Sequence, residues 1–327
     1  MLAVQLARNG VEVALGTRSP EESAALDAAR EHRSRLPGLT FPTALRVTEA
    51  TEAVDGADLV CMVVPSRSME QNLQVIVEQV RPDAVVLSAT KGIDLESGRR
   101  MSELIGAALP ERQLAVLSGP NLSREMAADL PSTTVIASAG PLEAIRDAFH
   151  SKNFRVYTSE DVVGVELGGA LKNVVAIAGG IVDQFNYGHN SKAAVLTRGL
   201  AEITRLAVAA GADPLTLQGL AGMGDLIATA YSPLSRNRQL GELLADGSTL
   251  EAALEAIGET AEGASTVPAA LGLAARLGVE LPVTAGLDAI MHHGVSAADA
   301  IEALLAREPT CEQGLGIEAE ADGTMTS

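Results

Sequence analysis

Four short runs in the first half of the chain have a continuous apolar, largely β-branched centre: "ADLVCMVVP", "DAVVLSATKG", "RQLAVLSGP" and "TTVIASAG". Each is bounded by Pro, Gly or Asp, and helical stretches such as "MEQNLQVIVEQV" and "SGRRMSELIGAAL" lie between them. A strand that is apolar on both faces must be covered on both faces. Helices between such strands supply the cover, and the result is a parallel sheet. The pattern predicts an α/β, Rossmann-like doubly wound fold. After about Thr158 the strand signal stops. Helical periodicity then continues from "SEDVVGVELGGALKNVVAIAGGIVDQF" through "VPAALGLAARLG", which predicts an all-α C-terminal domain. The 327 residues suffice for two cores. The expected division is a dinucleotide-binding domain over 1–158, a helical substrate-binding domain over 159–308, and an acidic, disordered tail over 309–327.

Composition removes several function classes. A net charge of −18 repels the nucleic-acid backbone, and aromatics at 2% with no Trp leave no stacking platform. Neither excludes a small phosphorylated substrate, which needs only a local basic site. Cys61 and Cys311 form no disulfide framework, and the five histidines show no metal-ligand spacing. His292 and His293 read as surface residues. Arg8 and Glu12 interrupt the opening apolar run, so it reads as part of the fold rather than as a signal peptide. The run around Lys172 reads as too short and glycine-rich to span a membrane. The expected location is the cytoplasm.

Candidate chemistry concentrates in a few stretches. Lys172 is the only cation in "GVELGGALKNVVAIAGG". Burying an ammonium there costs free energy unless it is paired or faces a cavity, and desolvation lowers its pKa toward that of a usable proton donor. The competing reading is a lysine whose stem packs while its head reaches water. In "GLAGMGDLIATAYSPLSRNRQLG", Asp225 either caps a helix or serves the site, and it shares a helix face with Thr229. Ser235, Arg236 and Asn237 offer a hydroxyl, a guanidinium and an amide suited to phosphate oxygens, although exposed loops also carry such runs. Lys91 in "SATKGID", and Gly119, Asn121 and Ser123 in "LSGPNLSREMA", fall just past strand ends, where doubly wound sheets open their ligand crevice. An ordinary βα turn is the alternative there.

Together and in this order, these stretches, with "NSKAAVLTRGL" and "AEGASTVPAA", resemble the soluble bacterial, nicotinamide-dependent glycerol-3-phosphate dehydrogenases from about Met1 to Glu308. The resemblance implies reversible reduction of dihydroxyacetone phosphate with NADH or NADPH, giving sn-glycerol 3-phosphate for phospholipid synthesis. By the same resemblance Lys172 is the proton donor and acceptor. Lys91, Gly119, Asn121, Asp225, Ser235, Arg236 and Asn237 meet the substrate. Arg18, Lys91, Ser123, Arg236, Thr260 and Glu262 meet the cofactor. The expected small-molecule partner is a phosphorylated triose, and no metal is implied. A homodimer stands as one candidate assembly.

Two departures from the family are small: Asn121-Leu122-Ser123 after "GP", and "AEG" around Glu262. The large departure is at the front. The family opens with a strand and a Gly-x-Gly-x-x-Gly loop, whereas "MLAVQLARNG" resembles the helix that follows them. The expectation is that Met1 is an internal start. A chain lacking that strand and loop should fold marginally and bind nicotinamide dinucleotide poorly, and equal cofactor affinities for long and short forms would refute this. "GTRS" after the strand "VEVAL" has no acid and one arginine, which favours NADPH slightly. Two alternatives remain: another Rossmann dehydrogenase acting on a different small hydroxy or keto substrate, and a truncated, non-catalytic homologue.

Overall fold

The computed structural model describes residues 1–258 and 260–308. The expected tail over 309–327 lies outside the described residues, as does Cys311. The N-terminal part alternates α1 (Leu2–Arg8), β1 (Val13–Thr17), α2 (Pro20–Ala29), β2 (Leu45–Glu49), α3 (Ala50–Val54), β3 (Leu59–Met62), α4 (Met69–Ile76), β4 (Val85–Ser88), α5 (Met101–Ala108), β5 (Leu114–Ser118), α6 (Ser123–Ala127), β6 (Ser132–Ala137), α7 (Glu143–Phe149) and β7 (Phe154–Ser159). Helices follow: α8 (Val162–Gln184), α9 (Gly188–Ala209), α10 (Pro214–Gln218), α11 (Asp225–Tyr231), α12 (Arg236–Ala245), α13 (Leu250–Ile257), α14 (Gly263–Leu277), α15 (Pro282–His292) and α16 (Ala297–Leu305).

β3, β4 and β5 run parallel, with Val60 opposite Val86 and Leu87 opposite Ala115. One face packs Met69, Leu73 and Ile76 of α4 and Leu104 and Ile105 of α5 against the sheet; the other packs Leu6 of α1 and Ile145 and Phe149 of α7. This two-sided cover is what the continuous apolar runs require. The expectation of a wholly parallel sheet needs one correction: β6 runs antiparallel to β5, and β7 is parallel to β6. Burial alternates along most of β6. That is the mark of a strand with one face in the core, which antiparallel strands commonly show.

β1 and β2 form a separate parallel pair. β1 and β3 each have a ladder partner on one edge only. Both line a trough of about 1200 Å³ that also takes in Leu2, Ala3, Leu6, Arg18 and Pro65.

α8 is the axis of the helical part. Its 23 residues are long and apolar enough to cross a membrane by length and composition, contrary to the expectation from the sequence, but its most apolar window is wholly buried. Leu171 and Val175 pack with Leu196 and Ile203 of α9 and Leu226 of α11, while Ile177 and Ile181 pack with Leu240 of α12 and Val267 of α14. Gly169 lets α8 approach the sheet, because a Cβ there would sit 2.1 Å from Ser118 Oγ. Glu166 ties α8 to the start of α5. Its carboxylate accepts bonds from Ser102 N at 2.8 Å, Ser102 Oγ at 2.6 Å and Arg100 Nη1 at 2.9 Å. Burial nevertheless raises its pKa, against the pull of Arg100 and Ser102.

Candidate active site

α8 carries Lys172 into the junction between sheet and helices, where the residue is only 5% exposed. That exposure rules out a snorkelling lysine. Lys172 Nζ donates to Asp225 Oδ1 at 2.7 Å and to Thr229 Oγ1. Thr229 Oγ1 in turn approaches Asp225 Oδ1 at 3.3 Å as a donor, which leaves a hydroxyl lone pair for the lysine. An ammonium has three N–H bonds, and these two acceptors take two of them. Burial lowers the Lys172 pKa from 10.5 to about 8; Asp225 opposes the fall, and Lys91 adds to it.

Asp225 is 2% exposed at the start of α11, where Gly224 holds the N-cap position without a side-chain cap. The capping alternative is thus excluded, because the carboxylate turns inward to two ammonium groups. Lys91, three residues beyond β4, donates to Asp225 Oδ2 at 2.6 Å, to the Gly119 carbonyl at 3.2 Å and to Asn121 Oδ1 at 3.4 Å. These three acceptors use all of its donors. Burial raises the Asp225 pKa, but Lys172 and then Lys91 outweigh it and hold the carboxyl below its usual range. A single carboxylate therefore joins two cations from different parts of the chain.

Ser235 is the N-cap of α12, accepting from Arg238 N at 3.2 Å. Arg236 follows as the first helical residue and is half-buried. Asn237 spends its amide on packing: Nδ2 donates to Asn173 Oδ1 at 2.9 Å, and Oδ1 accepts from Gly263 N at 2.9 Å. This chain of bonds couples α8 beside Lys172 to the N-terminus of α14, where Glu262 sits. Glu262 Oε2 accepts from Ser66 Oγ at 2.7 Å, across 196 residues of sequence. An added Cβ on Gly92 would lie 3.5 Å from Glu262 Oε2, so Glu262 stands beside the Lys91 loop. Thr260 is half-buried two residues before Glu262, and Ser123 is exposed at the start of α6.

Arg18 lies apart from this cluster. Its side chain is 86% exposed at the end of β1, 3.6 Å from Glu22. The structure thus gathers Lys172, Lys91, Asp225, Gly119 and Asn121 tightly, ties Asn237 and Glu262 to them through Asn173 and Gly263, and leaves Arg18 exposed just past β1. Ser66 and Asn173 were missed in the sequence. Asn173 had a signal, being the polar neighbour of Lys172 in an apolar helix; Ser66 had none. Among the described residues no group of three His, Cys, Asp or Glu could hold a metal.

The trough runs along the full length of β1 and β3, from Val11 to Arg18 and from Asp58 to Pro65, between the edges that have no ladder partner. Ser66, Gly92, Lys91 and Glu262 continue from there toward Lys172.

Comparison with known proteins agrees with this geometry. Residues 1–143 match the profile described as NAD-dependent glycerol-3-phosphate dehydrogenase N-terminus, and residues 161–302 match the corresponding C-terminus. A glycerol-3-phosphate dehydrogenase (NAD(P)+) of Chlorobium phaeobacteroides is 41% identical over 319 residues, covering 96% of each chain. That of Thermobifida fusca is 45% identical over 307 residues, covering 92% of this chain and 91% of the relative. The crystal structure of glycerol-3-phosphate dehydrogenase from Coxiella burnetii superposes with a TM-score of 0.90 at 33% identity, covering 94% of this chain and 95% of that one. With both halves matched and the buried lysine–carboxylate cluster at their junction, the chain belongs to the NAD-dependent glycerol-3-phosphate dehydrogenase family.

Proposed function

We infer that this protein interconverts dihydroxyacetone phosphate and sn-glycerol 3-phosphate by hydride transfer with NAD(P)H. The observation that carries the reading is the Lys172 ammonium, buried and aimed by Asp225 and Thr229. The cofactor, when bound, supplies or removes the hydride. The chain's own residues do the rest. Lys172 meets the carbonyl oxygen, stabilises the negative charge that grows on it and donates a proton to it. Asp225 and Thr229 keep Nζ in place throughout. Lys91, held by the Gly119 carbonyl and Asn121, keeps Asp225 ionised when Lys172 becomes neutral, and meets substrate or cofactor by exchanging one of those two partners. Arg236, with Ser235 and Asn237 shaping its turn, grips the phosphate and positions the ketone. Ser123, Thr260 and Glu262 face the cofactor.

The test is NAD(P)H oxidation with a panel of ketones. Dihydroxyacetone phosphate should be preferred over ketopantoate and 3-oxo acids by more than about 10²-fold in kcat/KM. Equal turnover across the panel would sink the assignment. Arg236→Ala should raise KM for dihydroxyacetone phosphate at least about tenfold while kcat changes less, since uniform binding energy is what is lost. Arg18 with no acid at the end of β1 favours NADPH over NADH. Arg18→Ala should raise KM for NADPH several-fold and leave that for NADH nearly unchanged; an equal shift in both would remove Arg18 from cofactor selection.

A further inference from the structure

Beyond the reacting groups, a second charged cluster sits where α8, α9, α11 and α12 meet. Lys192 of α9 is 5% exposed, and its ammonium donates to Asp183 Oδ2 of α8 at 2.6 Å. The same oxygen accepts from Arg238 Nε of α12 at 2.8 Å. Arg238 Nη1 donates to the Tyr231 carbonyl at the end of α11 at 3.2 Å, and Nη2 lies 3.0 Å from Glu242 Oε1. Lys192 Nζ also stands 4.2 Å from the centre of the Tyr231 ring. Two acids thus balance two cations.

None of these residues carries chemistry in the mechanism above, yet their placement is specific. The connection between α11 and α12 spans only Ser232–Ser235, and Arg238 fastens both of its ends. The guanidinium holds the Tyr231 carbonyl, and the Arg238 amide holds the Ser235 cap. The backbone is held as well. A Cβ added to Gly180, one turn before Asp183 on α8, would lie 2.1 Å from the Arg238 carbonyl oxygen, so the two helices touch without side chains between them. α11 carries Asp225 and Thr229, and the first turn of α12 carries Arg236.

We propose that Asp183 is a positioning residue: through Arg238 and Lys192 it fixes the first turn of α12 against α11, and so sets the distance from the phosphate grip to the proton donor. The proposal rests on the assignment of Arg236 to the phosphate. Without the carboxylate, Arg238 loses its Nε partner, Lys192 is left buried beside it, and like charges separate the elements that Asp183 joined. A displacement of about 1 Å at a binding group is enough to cost up to 10²-fold.

Asp183→Asn should raise KM for dihydroxyacetone phosphate on the order of tenfold or more, with KM for the nicotinamide cofactor shifting less than about threefold. Turnover of unphosphorylated dihydroxyacetone should be unchanged, because it never uses the grip. Asp183→Glu should recover part of the loss. Arg238→Met should reproduce the pattern and decides the matter if Asp183→Asn fails to fold. Equal losses with both ketones, or no loss in either folded variant, would overturn the proposal. Inorganic phosphate titrated into the protein by calorimetry reads the same turn without turnover. If the wild type binds phosphate but does not reduce dihydroxyacetone phosphate, the assigned reaction fails. The role of Asp183 is then decided by whether Asp183→Asn weakens phosphate binding.

Discussion

Lys172→Ala lowers reduction of dihydroxyacetone phosphate by at least about 10³-fold while the protein stays folded. The size follows from losing both a positioned proton donor, worth about 10²–10⁴, and a fixed positive charge at the developing alkoxide. Folding survives because Asp225 keeps Lys91 at 2.6 Å and is not left as an unpaired buried charge. Phosphate binding survives because Arg236 sits on another helix. The wild type makes a second demand. Burial brings the Lys172 pKa down to about 8. Reduction needs the ammonium, so its kcat/KM should be level below pH 8 and fall tenfold per unit above it. Oxidation of glycerol 3-phosphate needs the neutral amine, so its kcat/KM should rise through the same pH and level off beyond it. Initial rates in both directions between pH 6 and 10 check this. Parallel profiles, or turnover by Lys172→Ala above about a tenth of wild type, would take Lys172 out of the role.

Some of this site was legible in the sequence for a simple reason. A lone cation in a 23-residue apolar helix has to be paired or put to use, and Lys172 is both. Asp225 and Thr229, four apart, share a face by helix geometry alone. What spacing could not show is which distant group completes the pair. Lys91 reaches Asp225 across 134 residues, and Ser66 reaches Glu262 across 196. Such contacts depend on how helices dock on the sheet, which local periodicity does not encode. The sequence offers Ser235, Arg236 and Asn237 together to phosphate oxygens, with an ordinary exposed loop as the alternative. In the fold Ser235 also caps α12 and Asn237 also packs against Asn173, while the neighbouring Arg238 turns toward Asp183. Strand direction was hidden for a related reason, since apolar runs report burial and not which way a strand runs. β6 gives no clue either, since its buried positions include the polar Ser132 and Thr134.

Asp225→Asn is the second large effect, and it is one of charge balance. The carboxylate neutralises two ammonium groups at 2.7 and 2.6 Å, and it is the only acid paired with either of them among the described residues. An amide keeps the shape and loses the charge. Lys172 and Lys91 then face each other with no negative charge between them, and the Lys172 pKa falls further below 8. At pH 7 a growing fraction of Lys172 is neutral and cannot donate, so reduction should drop by more than about 10²-fold. Stability should fall too, by about 3–5 kcal/mol at neutral pH, as when one partner of a buried pair is removed. The pH dependence identifies the cause. A lysine whose folded pKa lies below its unfolded value of 10.5 makes the fold gain stability as pH rises between the two, because the unfolded chain holds more protons there. The Tm deficit of Asp225→Asn relative to wild type should therefore be largest at pH 6–7 and shrink toward pH 10. A deficit constant with pH would mean that Asp225 matters by packing alone. Reduction within tenfold of wild type at pH 7 would mean that the carboxylate does not set the charge state of Lys172.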